Sequence, residues 1–180
     1  MAVRAVFLDK DGMLVEDVPY NVDPARLRLT RGAAAGLRVL RQAGFRLVVV
    51  SNQSGIARGF FSEQRLDELR RGLQDLLASQ GVELDGFFYC PHAPPDRCAC
   101  RKPAPGLLRS AARDLGLELK NSWLVGDILD DVEAGRRAGC RTVLLTNGGE
   151  TQWRAGRLRR PHAVASDLEA AARLIVSGAP

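Results

Sequence analysis

The feature that most constrains this chain is an alternation. Short apolar runs of strand length recur along it, each followed by a polar loop and then by a stretch with helical spacing of its apolar residues. Residues 3–8, 46–50 ("RLVVV"), 86–90 ("GFFYC"), 122–125 and 141–146 ("RTVLLT") read as strands, with 163–165 as a short sixth. Helical spacing covers 31–43, a stretch from about 63 to 80, and then 106–115, 132–138 and 168–176. Ser62 is placed to cap the second helix with Glu63 in its first turn, while Gly44 and Gly81 are placed to end the first two. Repeated strand, loop and helix units close as a parallel sheet with helices on both faces, because each crossover must return the chain to the same edge. A doubly wound, Rossmann-like α/β fold is therefore expected, as one domain over residues 1–180. The only sizeable insertion is residues 13–30, which leaves no room for a separate cap domain.

Composition narrows the class. The 180 residues are 46% hydrophobic and 26% charged, the balance of a globular protein. No apolar run approaches the roughly 18–20 residues that span a bilayer, and no signal-like segment opens the chain, so a cytoplasmic protein with no membrane partner is expected. The formal charge is +5. Its arginines are dispersed along helical stretches, which makes them a solvated surface rather than a polyanion site. Lysine is scarce by comparison: only Lys10, Lys102 and Lys120 occur. In such a chain a lysine inside a dense motif is there for its compact ammonium.

The loops that follow the strands read "DKDG", "SNQSG", "CPH…CACRKP" and "VGDILDD". In a parallel sheet all four converge on one edge, where ligands bind. Phosphoryl transfer explains the combination, since attack on a phosphate monoester needs a nucleophile, charge neutralisation and fixed donors. Asp9 can attack phosphorus and form an aspartyl-phosphate. Asp11 can protonate the leaving alkoxide and then deprotonate the attacking water. Gly12 permits the sharp turn between them. Ser51 and Asn52 offer donors to phosphate oxygens, Lys102 a point charge, and a Mg²⁺ ion would sit against a carboxylate pair such as Asp9 with Asp127. Asp130 and Asp131 are expected in supporting roles, with Asp131 the more structural, capping a helix from Val132.

Cys90, His92, Cys98 and Cys100 supply three thiolates and an imidazole within eleven residues, a full set for a closed structural Zn²⁺ site. Such a zinc-binding loop would hold Arg101 and Lys102 at the edge of the site. Cys140 stands apart and reads as a buried filler.

The ordered set "DKDG", "SNQSGIARG", "CPH…CACRKPAPG" and "VGDILDD" resembles the haloacid dehalogenase-like phosphatases, in the zinc-containing branch that hydrolyses heptose 1,7-bisphosphate or histidinol phosphate. The resemblance runs over roughly residues 2–145. It implies Mg²⁺ held by Asp9, the Asp11 carbonyl and Asp127, phosphate contacts from Ser51, Asn52 and Lys102, and Arg101 at the substrate. Two positions depart from the pattern: Met13 stands where a threonine is usual, and Ile128 where the heptose enzymes carry lysine. "TNGGETQW" after the fifth strand matches neither type.

The expected activity is Mg²⁺-dependent hydrolysis of a small phosphorylated metabolite, a heptose 1,7-bisphosphate cleaved at position 7 in the first instance and histidinol phosphate in the second. With no cap, loop residues such as Tyr20, Arg58 and Arg101 must hold the substrate. A monomer is favoured. A non-catalytic zinc module binding nucleic acid is the remote alternative, and it needs basic residues interleaved with aromatics around the Cys-rich loop. Only Arg97, Arg101 and Lys102 are there, and the two acidic loops would go unexplained.

Overall fold

The computed structural model describes residues 3–178; residues 1–2 and 179–180 of the expected domain lie outside the described residues. Six strands, β1 (Ala5–Leu8), β2 (Arg46–Asn52), β3 (Gly86–Cys90), β4 (Trp123–Gly126), β5 (Arg141–Leu145) and β6 (Ala163–Ala165), form one sheet in the order β3-β2-β1-β4-β5-β6. Every neighbouring pair is parallel. The helices are α1 (Ala33–Gln42), α2 (Glu63–Ala78), α3 (Gly106–Leu115), α4 (Leu129–Ala138) and α5 (Leu168–Ser177).

Strand β1 explains the layering, because all four of its residues are buried and they alternate between faces. Val6 and Leu8 pack with Leu37 and Leu40 of α1, Leu69 and Leu73 of α2 and Ile175 of α5. Ala5 and Phe7 pack with Leu107 and Leu108 of α3 and Ala134 of α4. Burying each large side chain contributes about 1.5–3 kcal/mol, so a strand apolar on both faces is stable only between two helical layers.

Ser62 is the N-cap of α2, its Oγ accepting from Arg65 N at 3.3 Å. Strand β2 runs two residues past the expected end, because Ser51 and Asn52 still pair with Tyr89 and Cys90 of β3. Helix α4 begins at Leu129, three residues before the expected start at Val132. Asp130 and Asp131 occupy its first turn, where carboxylates favour the positive end of the helix dipole. The 13–30 excursion forms no cap: Met13, Leu14, Val15 and Leu27 are buried in the main core, and Val15 bridges to Asp11 and Leu29. Met13, the departure from threonine, is thus a core residue, and its carbonyl accepts from Thr30 Oγ1 at 2.5 Å.

From β1 the chain crosses to β2 on one side, and from β4 it crosses to β5 on the other. The carboxyl ends of β1 and β4 therefore open onto a crevice at the topological switch point.

Candidate active site

Asp9 follows β1 directly, and its backbone N–H donates to Val125 O of β4 at 3.1 Å, stitching the two sides of the crevice together. A cleft of about 610 Å³ opens there, lined by Asp9, Asp11, Ser51, Asn52, Arg101, Lys102 and Asp127 and by the loop after β5. Gly12 sits at φ +78°, a left-handed conformation, and a side chain there would also press on the Asp127 carboxylate.

Lys102 is the hub. Its ammonium is 2% exposed and stands 2.5 Å from Asp9 Oδ1, 2.7 Å from Asp131 Oδ1 and 2.9 Å from Val50 O. Burial alone would lower its pKa, but the charges of Asp131 and Asp9 outweigh that and hold it above the usual lysine range. Its backbone is fixed by the Asn52 amide, which accepts from Lys102 N at 3.0 Å and donates to Lys102 O at 3.2 Å. Asn52 lines the cleft, then, with its side-chain amide engaged in placing Lys102.

Asp9, Asp127 and Asp131 bring carboxylate oxygens within 4.8 Å of one another. Asp127 and Asp131 are 5% and 1% exposed. Burial, with the Asp9 charge next, pushes Asp127 up to about 7. Burial, offset in part by Lys102, pushes Asp131 up to about 7 as well. The partner of the buried Asp131 carboxylate is the Lys102 ammonium at 2.7 Å. Ionised together, the three carboxylates face one ammonium, a deficit of positive charge that suits a hard divalent cation with oxygen ligands. Asp130 and Asp131, both expected in supporting roles, stand in different places. Asp131 belongs to the cluster, whereas Asp130 points outward to Arg159 at 2.6 Å and serves the surface. The one-residue difference decides this, because neighbours on a helix face about 100° apart.

Asp11 lines the same cleft, with both of its carboxylate oxygens engaged by neighbours. Its Oδ1 meets the buried Lys10 ammonium, and its Oδ2 accepts from Gln53 Nε2 at 3.2 Å. Gln53 also donates to Ser51 Oγ at 2.8 Å, tying the two loops together. Burial raises the Asp11 pKa, with Lys10 opposing in part. Gln53 is a site residue the sequence reasoning passed over, although it lies inside the quoted "SNQSG".

Cys90, His92, Cys98 and Cys100 converge on one point. Their sulfur and Nδ1 atoms lie 3.0–3.5 Å apart in five of the pairs. A tetrahedron with metal–ligand bonds of about 2.0–2.3 Å has edges close to this. None of these cysteines is in a disulfide. Burial works against the Cys98 thiolate, but the Arg101 N–H at 3.3 Å and the neighbouring thiols bring its pKa down to about 7. The same loop delivers Arg101, whose Nη1 donates to His92 O at 3.2 Å, to the cleft wall.

Arg58 is not among the residues that line the cleft. It is exposed, with its guanidinium 6.0 Å from the Tyr20 ring centroid, while Tyr20 meets Phe60 edge-on at 4.7 Å. Tyr20 lines an adjoining pocket that shares Asp11, Asp17 and Asn52 with the cleft. Elsewhere arginines are spent on helix ion pairs, such as Arg65–Glu68, Arg71–Asp67 and Arg173–Glu169. Among the described residues no helix is long and apolar enough to cross a membrane.

Comparison with known proteins agrees with this geometry. A family model described as HAD-hydrolase-like matches residues 99–171. The D-glycero-β-D-manno-heptose-1,7-bisphosphate 7-phosphatase of Haemophilus ducreyi is 40% identical over 157 residues, covering 83% of this chain and 86% of its own. That of Escherichia coli K12 is 40% identical over 156 residues, covering 83% and 82%. Among solved structures, D,D-heptose 1,7-bisphosphate phosphatase from B. bronchiseptica, complexed with magnesium and phosphate, superposes with a TM-score of 0.83 at 33% identity, covering 98% of this chain and 100% of that one. The chain belongs to the haloacid dehalogenase-like phosphatases, in the family of the heptose 1,7-bisphosphate 7-phosphatases.

Proposed function

We propose that this protein hydrolyses the 7-phosphate of D-glycero-β-D-manno-heptose 1,7-bisphosphate through an aspartyl-phosphate on Asp9. The substrate rests on the relatives at 40% identity. The chemistry rests on one observation: Asp9, 13% exposed, faces the cleft beside Lys102 and the Asp127–Asp131 pair, with Asp11 in the same cleft held by Lys10 and Gln53.

The Asp9 carboxylate attacks phosphorus in line with the departing sugar oxygen. Lys102 offsets the charge on the transferred phosphoryl group, and Ser51 with the backbone N–H groups of its loop takes the remaining oxygens. Asp11, whose pKa burial raises, gives a proton to the leaving alkoxide; as a carboxylate it then takes a proton from the water that attacks the aspartyl-phosphate. That water's oxygen goes to phosphate and Asp9 is regenerated. Asp9 and Asp127, with Asp131 behind them, would hold Mg²⁺, which when bound neutralises phosphate charge and aligns it with the nucleophile. The Asp11 backbone carbonyl is proposed as a further ligand. Cys90, His92, Cys98 and Cys100 would hold a structural Zn²⁺.

Turnover of the heptose bisphosphate, its 1-phosphate and histidinol phosphate, measured side by side with Mg²⁺, tests the assignment. The bisphosphate is expected to lead in kcat/KM and to release one phosphate, from position 7. Preference for histidinol phosphate would overturn the substrate, and absence of any Mg²⁺-dependent turnover would overturn the mechanism.

A further inference from the structure

We infer that Glu150, in the loop after β5, is a positioning residue for the acid cluster: it supplies the cap that the start of α4 lacks and so fixes where Asp127 and Asp131 stand. The inference rests on the proposal that this cluster holds Mg²⁺.

The N-cap of helix α4 is Ile128, whose side chain makes no capping hydrogen bond. An apolar N-cap leaves the first-turn N–H groups to find acceptors elsewhere. Glu150 provides one from 21 residues away, its Oε2 accepting from Leu129 N at 2.6 Å. The other oxygen, Oε1, accepts from Gln152 N at 2.6 Å, so the carboxylate is oriented by its own loop before it reaches the helix. Leu129 lies midway between Asp127 and Asp131, and moving its amide moves both carboxylates.

Two neighbours make the same loop a brace. Asn147 Nδ2 donates to Gly12 O at 2.7 Å, which holds the turn that follows Asp11. Gly149 packs so closely on the Asp127 carboxylate that a Cβ there would overlap its Oδ2. Residues 147–150 thus touch the Asp9–Gly12 turn, the Asp127 side chain and the first turn of α4 at once. Groups that orient metal ligands without binding the metal commonly govern affinity by roughly 10-fold or more.

The test measures Mg²⁺ binding to zinc-loaded protein by calorimetry, alongside kinetics. Glu150→Ala is expected to weaken Mg²⁺ binding by roughly 10-fold and to raise the Mg²⁺ requirement for turnover in step. KM for substrate at saturating Mg²⁺ should be unchanged. Glu150→Gln, which keeps an acceptor oxygen, should recover most of the affinity. Glu133→Ala, on the outer side of the same helix where it pairs with Arg137 and Arg159, controls for simple loss of helix stability. Wild-type affinity in Glu150→Ala would overturn the positioning role, as would equal weakening by Glu133→Ala at a matched Tm. Failure of the wild-type protein itself to bind Mg²⁺ would instead overturn the magnesium reading on which the inference rests.

Discussion

Two carboxylates separated by one residue differ here in everything that matters to their chemistry. Asp9 shares the Lys102 ammonium with Asp131, whereas Asp11 lies between Lys10 and Gln53 with its pKa raised by burial. Asp9→Asn should therefore abolish turnover while leaving the fold intact, because the amide is isosteric but not nucleophilic. Asp11→Asn should reduce kcat by roughly 10²–10⁴ for substrates with poor leaving groups and much less for aryl phosphates, which leave without protonation. Steady-state rates on both ester types check this; equal losses on the two would remove Asp11 from the acid role. Much of this was legible in the sequence. Carboxylates at a strand's end are weak signals alone, but four polar loops converging on one sheet edge are not, and lysine is rare enough that Lys10 and Lys102 stood out; both prove to be 2% exposed at the site. Gln53 was not legible, since its role depends on a side chain that reaches back to Ser51 and across to Asp11. Nor was the use of the Asn52 amide on Lys102, a pairing across 50 residues.

Among the elements, the strands were the more legible, because β1 to β5 are runs of apolar residues bounded by polar loops. Helix α4 was misjudged at its start, since "ILDD" contains no capping side chain ahead of Leu129; the acceptor comes from Glu150 in another loop. The Cys-rich loop is the reverse case, an irregular segment whose order was readable from donor spacing alone. Its consequence is positional. Cys98 accepts from the Arg101 N–H, so the cluster grips the chain one residue before Lys102. With three thiolates, a bound Zn²⁺ would carry net negative charge and would not itself attract phosphate. Cys98→Ser or Cys100→Ser is expected to lower zinc content below one per chain, to raise KM severalfold and to leave Mg²⁺-dependent turnover in reduced form. Elemental analysis with steady-state kinetics checks it. Full activity and unaltered KM in zinc-free protein resupplied with Mg²⁺ alone would show that the loop places nothing.

At the scale of the whole molecule, the acid cluster ties stability to pH. In an unfolded chain Asp127 and Asp131 would ionise near the ordinary carboxylate value of about 3.9, but in the folded, metal-free protein burial pushes each up to about 7. The folded state therefore binds these protons more tightly. The stability they contribute is fully present below about pH 4 and is lost as the pH rises towards 7. A divalent cation reverses the balance, because it binds the ionised forms and competes with the protons. The rise in Tm on adding Mg²⁺ to zinc-loaded protein should thus be small at pH 5.5 and much larger at pH 8, with an affinity that grows by up to roughly 100-fold per pH unit below 7 where two protons must leave. His162 works in the opposite sense, since burial and then the charges of Arg136 and Arg141 lower its pKa, and its contribution is lost as the pH falls. It contributes equally with and without Mg²⁺ and cancels in the difference between the two curves. Paired thermal unfolding curves across pH 5–8 check the expectation, and Asp131→Asn should flatten the pH dependence of the Mg²⁺ effect by removing one of the two protons. A Mg²⁺-induced shift of the same size at pH 5.5 and pH 8 would mean that the protons and the cation do not share these carboxylates.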